Sequence, residues 1–115
     1  MTTIVANSQL TIAVTVFTVA PEHQQQLIDL LARAGQEVIR RQPGFVSINI
    51  HKSKDGTHVL TYSQWRSREA FDEAVQNAAV IPYVHAVLKL ATFEPHFYEV
   101  AAVIQADETA DEGQS

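Results

Sequence analysis

Two alternating runs, Phe45–Ser53 and Thr57–Trp65, meet at Lys54-Asp55-Gly56-Thr57, and this junction constrains the chain more than any other feature. Asp-Gly is the preferred centre of a two-residue hairpin turn, because both central positions need positive φ. The resulting register places Lys54 opposite Thr57, Ile50 opposite Thr61 and Val46 opposite Trp65. Strand side chains alternate, so the register sorts them into two faces. One carries Val46, Ile48, Ile50, Val59, Thr61, Ser63 and Trp65, and is expected to lie under helices. The other carries Phe45, Ser47, Asn49, His51, His58, Leu60, Tyr62 and Gln64, a mixed surface of the kind subunit interfaces use. Ser67 is suited to cap a helix containing Phe71, Ala74, Val75 and Ala78. Trp65, the only tryptophan, therefore stands where hairpin becomes helix.

The remaining elements follow from periodicity. In the run Gln9–Phe17, Leu10, Ile12, Val14 and Val16 point one way, and Thr11, Ala13, Thr15 and Phe17 the other. Neither face is strongly polar, which predicts a central strand covered on both sides. Pro21 suits the first position of a helix. Leu27, Leu30, Leu31, Ala34 and Val38 recur at helical spacing, opposite Asp29, Arg33, Gln36 and Arg40. That helix should end before Pro43-Gly44. Ile81, Val84, His85 and Leu88 fall at i, i+3, i+4 and i+7, which places His85 on an apolar stripe. Thr92–Ile104 reads as a final strand in which Pro95 marks an edge, a bulge or the strand's start.

The order β-α-β-β-α-β predicts an α+β, ferredoxin-like fold: a four-stranded antiparallel sheet with helices on one face. The other face, with Phe17, Phe45, Leu60 and Tyr62, then needs a cover, and a second copy of the chain is the simplest one. A homodimer is the expectation.

At 115 residues one domain is expected, spanning 9–104, between a flexible segment 1–8 and a disordered acidic tail 105–115. Four of the thirteen acids lie in the last nine residues, which leaves nine acids against eight bases elsewhere. With no basic patch, nucleic acid is not an expected partner. The absence of cysteine excludes disulfides, thiolate zinc sites and thiol catalysis. Met1–Ser8 lacks the basic start and long apolar core of a signal peptide, and no apolar run approaches the ~20 residues of a membrane span. A cytoplasmic protein with no membrane partner is expected.

The sequence carries no glycine-rich phosphate loop, no G-x-S-x-G and no H-E-x-x-H. His51 and His58 share one hairpin face, but a third ligand is not evident, so no metal site is expected. His85 reads either as a core histidine satisfied by a neighbour or as an acid, base or anion stabiliser. Thr61 and Ser63 are either small polar residues tolerated beneath the helices or groups that orient a carbonyl or phenol. Trp65 is either a core anchor or a pocket wall.

Three segments, P-G-F-V-S at 43–47, D-G-T at 55–57 and T-Y-S-Q-W-R-S-R-E-A-F at 61–71, carry a family resemblance. The chain, over roughly Leu10 to Ile104, resembles the antibiotic biosynthesis monooxygenase family of the dimeric α+β-barrel superfamily, and is most similar to its cofactor-free anthrone oxygenases. The resemblance implies a homodimer that oxidises a phenolic or polycyclic aromatic, anthrone- or quinol-like, with O₂ to a quinone, using no cofactor. Trp65 matches the family's pocket tryptophan. Thr61 stands where the family has an asparagine, Phe71 where it has a tyrosine, and His85 near an arginine. The implied catalytic residues are therefore Trp65, His85 and Thr61, with Phe71, Ser63, Ile50 and Leu88 as substrate contacts. The histidine of haem-degrading relatives would fall near Ala74 or Val75, which disfavours that chemistry. The alternatives are a non-catalytic dimeric small-molecule-binding protein and a cyclase or isomerase on the same fold.

Overall fold

A computed structural model describes residues 9–107. The expected flexible segment 1–8 and the last eight residues of the tail lie outside the described residues. Four strands, β1 (Thr11–Val19), β2 (Phe45–Lys52), β3 (His58–Trp65) and β4 (Ala91–Tyr98), form one antiparallel sheet in the order β2-β3-β1-β4. Helices α1 (Gln24–Glu37), α2 (Arg68–Gln76) and α3 (Ile81–Leu88) cover one face. This is the ferredoxin-like α+β arrangement, with β1 central.

The hairpin keeps the expected register from Ser47 opposite Gln64 to Lys52 opposite Val59, with Ile50 opposite Thr61. Its connection is a four-residue loop instead of a two-residue turn. Ser53 N donates to His58 O at 3.0 Å and Gly56 N to Ser53 O at 3.3 Å, and Gly56 takes φ +83°. Asp55 Oδ1 accepts from Thr57 N at 3.0 Å and from the Thr57 and Ser53 hydroxyls at 2.7 Å each. These bonds, the Thr57 amide foremost, hold the Asp55 carboxyl down at about 2 from an ordinary 3.8. Gln24, at the start of α1, donates to Ser53 O at 3.1 Å and His58 O at 2.9 Å, which ties the helix to the hairpin end.

At the opposite end a β-bulge between Phe45 and Ser47 shifts the pairing, so that Phe45 and not Val46 opposes Trp65. The extra residue turns Phe45 to the helix side, edge-on to Trp65 at 5.2 Å, and leaves Val46 exposed. The expected faces of these two residues are thus exchanged. Phe17 is also corrected: it points beneath the helices with Ala13, Thr15 and Val19, and is buried against Leu27 and Val59. The open face is instead centred on Val14, Val16, Leu60 and Tyr62.

Helix α1 follows a single 3-10 turn, Pro21–His23, and is followed by another, Ile39–Arg41. The expected five-turn helix is therefore α-helical only in its middle. Ser67 caps α2 by accepting from Ala70 N at 3.1 Å, as its residue type suggests. The helix stops at Gln76, and Ala78 is exposed in the connection. β4 ends at Tyr98 and not at Ile104, because Tyr98 pairs with Ile12 and β1 offers no partner beyond Thr11. Pro95 lies on an edge strand, where its missing N–H leaves the sheet intact. Residues 99–107 have no regular structure.

Two clusters form the core. Phe17, Val19, Leu27, Val59, Val87 and Ala91 pack at one end of the sheet. Ala13, Trp65 and Ala74 pack at the other, with Phe45, Phe71, Phe97 and Ile39 against them.

Candidate functional site

Between these clusters, under the helices, lies a cavity of about 360 Å³. That volume falls at the small end of the roughly 300–1,000 Å³ usual for small-molecule sites. The sheet supplies Thr15 and Phe17 from β1, Ile48 from β2, and Thr61, Ser63 and Trp65 from β3. Above them stand Leu31, Ala34 and Gly35 of α1, Phe71 and Val75 of α2, and Tyr83, Val84 and Val87 of α3. Phe93 and Pro95 of β4 complete the wall and are its exposed members.

The aromatic side of the cavity is rigid. Phe71 stands at 89° to Trp65, with ring centres 5.6 Å apart, and at 79° to Phe97, 5.0 Å away. Arg68 covers the outer face of Phe97 at 3.6 Å and pairs with Asp72 at 3.1 Å. The Trp65 indole N–H donates to Ser63 Oγ at 3.0 Å, and Ser63 Oγ donates to Ala13 O at 3.2 Å. Both donors are therefore engaged within the wall, and Trp65 offers a ligand its ring instead of its N–H.

Thr15 and Thr61 are cross-strand partners on the cavity floor, 8% and 6% exposed. Among the described residues no hydrogen bond reaches either hydroxyl, so both can orient a ligand oxygen. Among the described lining residues Tyr83 brings the one ionisable side chain, and its hydroxyl donates to Glu37 Oε2 at the end of α1. That bond, reinforced by desolvation and the carboxylate charge, raises the Tyr83 phenol above its ordinary 10, with Arg33 opposing. Among the described residues no group of three histidine or acidic side chains is placed to hold a metal, and no helix is long and apolar enough to cross a membrane.

Of the residues expected at a site, the structure brings together Thr61, Ser63, Trp65 and Phe71. Three others fall elsewhere. His85 is exposed, Leu88 is 54% exposed, and Ile50 packs against the Leu27 end of the core. The inward stripe of α3 is Val80, Tyr83, Val84 and Val87, one residue out of step with Ile81, Val84, His85 and Leu88. Both sets have i, i+3, i+4, i+7 spacing, and in a helix this apolar the spacing alone does not select between them. Tyr83, Thr15, Phe17, Phe93 and Pro95 were not among the expected site residues. Thr15 had a signal, since β1 alternation puts it on the same face as Ala13 and Phe17.

Known proteins fit this geometry. The profile of the antibiotic biosynthesis monooxygenases matches residues 11–86. The tetracenomycin-F1 monooxygenase of Streptomyces glaucescens is 38% identical over 100 residues, covering 87% of this chain and 89% of the relative. A Streptomyces coelicolor monooxygenase from ActVA-Orf6, solved with the ligand nanaomycin D, is 30% identical at a TM-score of 0.75, covering 84% of this chain and 92% of its own. SnoaB, a cofactor-independent oxygenase from Streptomyces nogalater, superposes with a TM-score of 0.74 at 24% identity, over 86% of this chain and all of its own. With its cavity where β3 meets α2 and its sequence matched over most of its length, the chain belongs to the antibiotic biosynthesis monooxygenase family.

Proposed function

We propose that the protein is a cofactor-independent monooxygenase that oxidises a phenolic polycyclic aromatic, anthrone- or quinol-like, to a quinone with O₂. The observation that carries this reading is the cavity: flat aromatic walls at Trp65 and Phe71, with two hydroxyls, Thr15 and Thr61, that no hydrogen bond from the described residues reaches. The monooxygenase relative at 38% identity and the ligand-bound one at 30% support it.

In this reading Trp65, Phe71 and Phe93 bind a flat substrate by burial and ring contact. Thr61 and Thr15 bond its phenol or carbonyl oxygen and favour the anion in a water-poor site. The ionised substrate is itself the reductant. An anthrone methylene becomes a carbonyl as one atom of O₂ joins carbon and the other leaves as water with the two hydrogens. The protein binds, deprotonates and excludes water. His85, exposed and outside the lining, has no role in this scheme.

The assembly proposed is a homodimer joined through the open sheet face. Val16 is 37% exposed there, beside Val14, Leu60 and Tyr62, which would otherwise face water. Sedimentation should give a dimer at micromolar concentration, and Leu60→Asp a monomer or an unfolded chain. A stable wild-type monomer overturns this assembly.

Oxygen uptake with a panel of anthrones and quinols in chelator-treated buffer tests the reaction. The expected result is a quinone carrying one atom from labelled O₂. The described lining residues include no charged side chain, which favours a binding module as the second reading. Tight binding of the same compounds without oxygen uptake would establish that module, and their rearrangement without oxygen a cyclase or isomerase.

A further inference from the structure

Deprotonation needs an acceptor, and the cavity wall is nearly all hydrocarbon. Among the described residues that line it, the one ionisable group is the phenol of Tyr83. That hydroxyl is bonded to Glu37, an exposed carboxylate at the last residue of α1. The Tyr83 side chain thus runs from the cavity lining to an exposed hydroxyl, which meets a solvent-facing base on a different helix. We propose that Tyr83 and Glu37 form a proton relay out of the cavity: a bound phenol transfers its proton to Tyr83 Oη as Tyr83 transfers its own to the Glu37 carboxylate.

The step balances. The substrate O–H bond breaks and a Tyr83 O–H bond forms, while the original Tyr83 O–H bond breaks and a Glu37 O–H bond forms. The substrate is left as its anion, and Glu37 gives the proton to water. The Glu37 hydrogen bond raises the Tyr83 phenol, so Tyr83 is neutral at physiological pH and acts as a conduit, with the carboxylate as the base. The charged groups that act on the phenol are Glu37 and Arg33, both on α1. Thr15 and Thr61 lie on the sheet, across the cavity from α3, and can hold the substrate oxygens that are not being deprotonated.

The relay rests on the reading of the cavity as a site for a phenolic substrate, and two measurements separate them. The first is oxygen uptake with 1,8-dihydroxyanthrone for wild type, Tyr83→Phe, Glu37→Gln and the double variant, across pH. A relay predicts at least a tenfold loss of kcat in each single variant with KM little changed. It predicts a double variant no worse than either single, and loss of the acid limb of the wild-type kcat profile in Glu37→Gln. If the pair only latches α1 to α3, melting temperature and KM change, the kcat profile keeps its acid limb, and the proposal is overturned.

The second measurement needs no turnover. 1,2-Dihydroxyanthraquinone changes colour on ionisation, and its deprotonation in the bound state after a pH jump should be at least tenfold slower in both variants. Acetate should restore the rate in Glu37→Ala. Equal rates in wild type and Glu37→Gln overturn the relay even if the protein is an oxygenase. Ionisation slowed in the variants, with a wild type that ionises the dye quickly but consumes no oxygen, upholds the relay and removes the oxygenase reading. A dye that does not bind removes both.

Discussion

At one end of the sheet Leu27 and Val59 are both 0% exposed, and α1, α3 and the strands meet around them. At the other end Trp65, Phe45, Phe71 and Phe97 meet edge to face at 75° to 89°. The first end is filled around Leu27 and Val59, and the cavity of about 360 Å³ lies between the two ends, lined by Phe17 and Val87 of the first and by Trp65 and Phe71 of the second. Flexible aliphatic chains adjust their rotamers until a gap is closed, and interiors reach the density of organic crystals. Rings held edge to face act as struts with a preferred spacing. Here the struts are themselves pinned, Trp65 through Ser63 to the β1 backbone and Phe97 beneath Arg68. One layer architecture thus yields a filled end around Leu27 and Val59 and a binding space between it and the pinned rings.

Leu27→Ala should break the filled end. A fully buried leucine of this kind costs about 3 kcal/mol on truncation, read as a lower urea midpoint at unchanged slope. Affinity of the folded fraction for flat aromatics should hardly move. Equal loss of affinity and stability would mean that the two ends are not separable.

Gly44→Ala should disturb the aromatic end instead. Gly44 has φ +82°, and an added Cβ would lie 2.5 Å from the Cβ of Ala70, one residue from Phe71. The expected cost is about 2 kcal/mol from strain and overpacking, with a shift in Trp65 fluorescence as α2 is pushed from the sheet. Unchanged fluorescence would show that α2 accommodates the methyl without moving its rings.

Thr61→Val should sharpen the contrast by leaving the fold alone. The hydroxyl has no hydrogen-bond partner among the described residues, so stability should change by less than about 1 kcal/mol. Affinity for a hydroxylated tricycle should fall by about 1 kcal/mol, roughly fivefold, and that for the parent hydrocarbon should stay. Calorimetric titration of the two ligands checks this.

The smallest effect belongs to the hairpin loop. The Asp55 carboxyl is held at about 2 against an ordinary 3.8, so the carboxylate is favoured in the folded state. Its stabilisation is complete above the upper value and is lost as pH falls through the lower one. Thermal unfolding between pH 5 and 2 (about this window) should show a shallower loss in Asp55→Asn than in wild type. Parallel curves would mean that the loop bonds survive in the unfolded chain.

The hairpin and its register were legible because an alternating pattern has period two and a one-residue slip would expose the core face. The helix after Ser67 was legible because its cap chemistry is local. Trp65, Thr61 and Ser63 followed from the same register, and the family resemblance added Phe71. The bulge at Phe45 and Ser47 was not legible, since an extra residue leaves no compositional mark in the stretch Phe45-Val46-Ser47, where every position is apolar or small. The phase of α3 was hidden for a related reason, because two stripes satisfied the same spacing.

The sequence by itself determined the element order, the antiparallel hairpin, the amphipathic α1 and the aromatic at the β3–α2 junction, all of which depend on residues a few positions apart. Tertiary structure decided which stripe of α3 turns inward, that Phe45 joins Trp65, and that Thr15 stands beside Thr61 across two strands. It also decided that Tyr83 meets Glu37 from forty-six positions away. Such contacts depend on how whole elements pack, and packing selects by shape and volume among alternatives that local spacing leaves equal in energy.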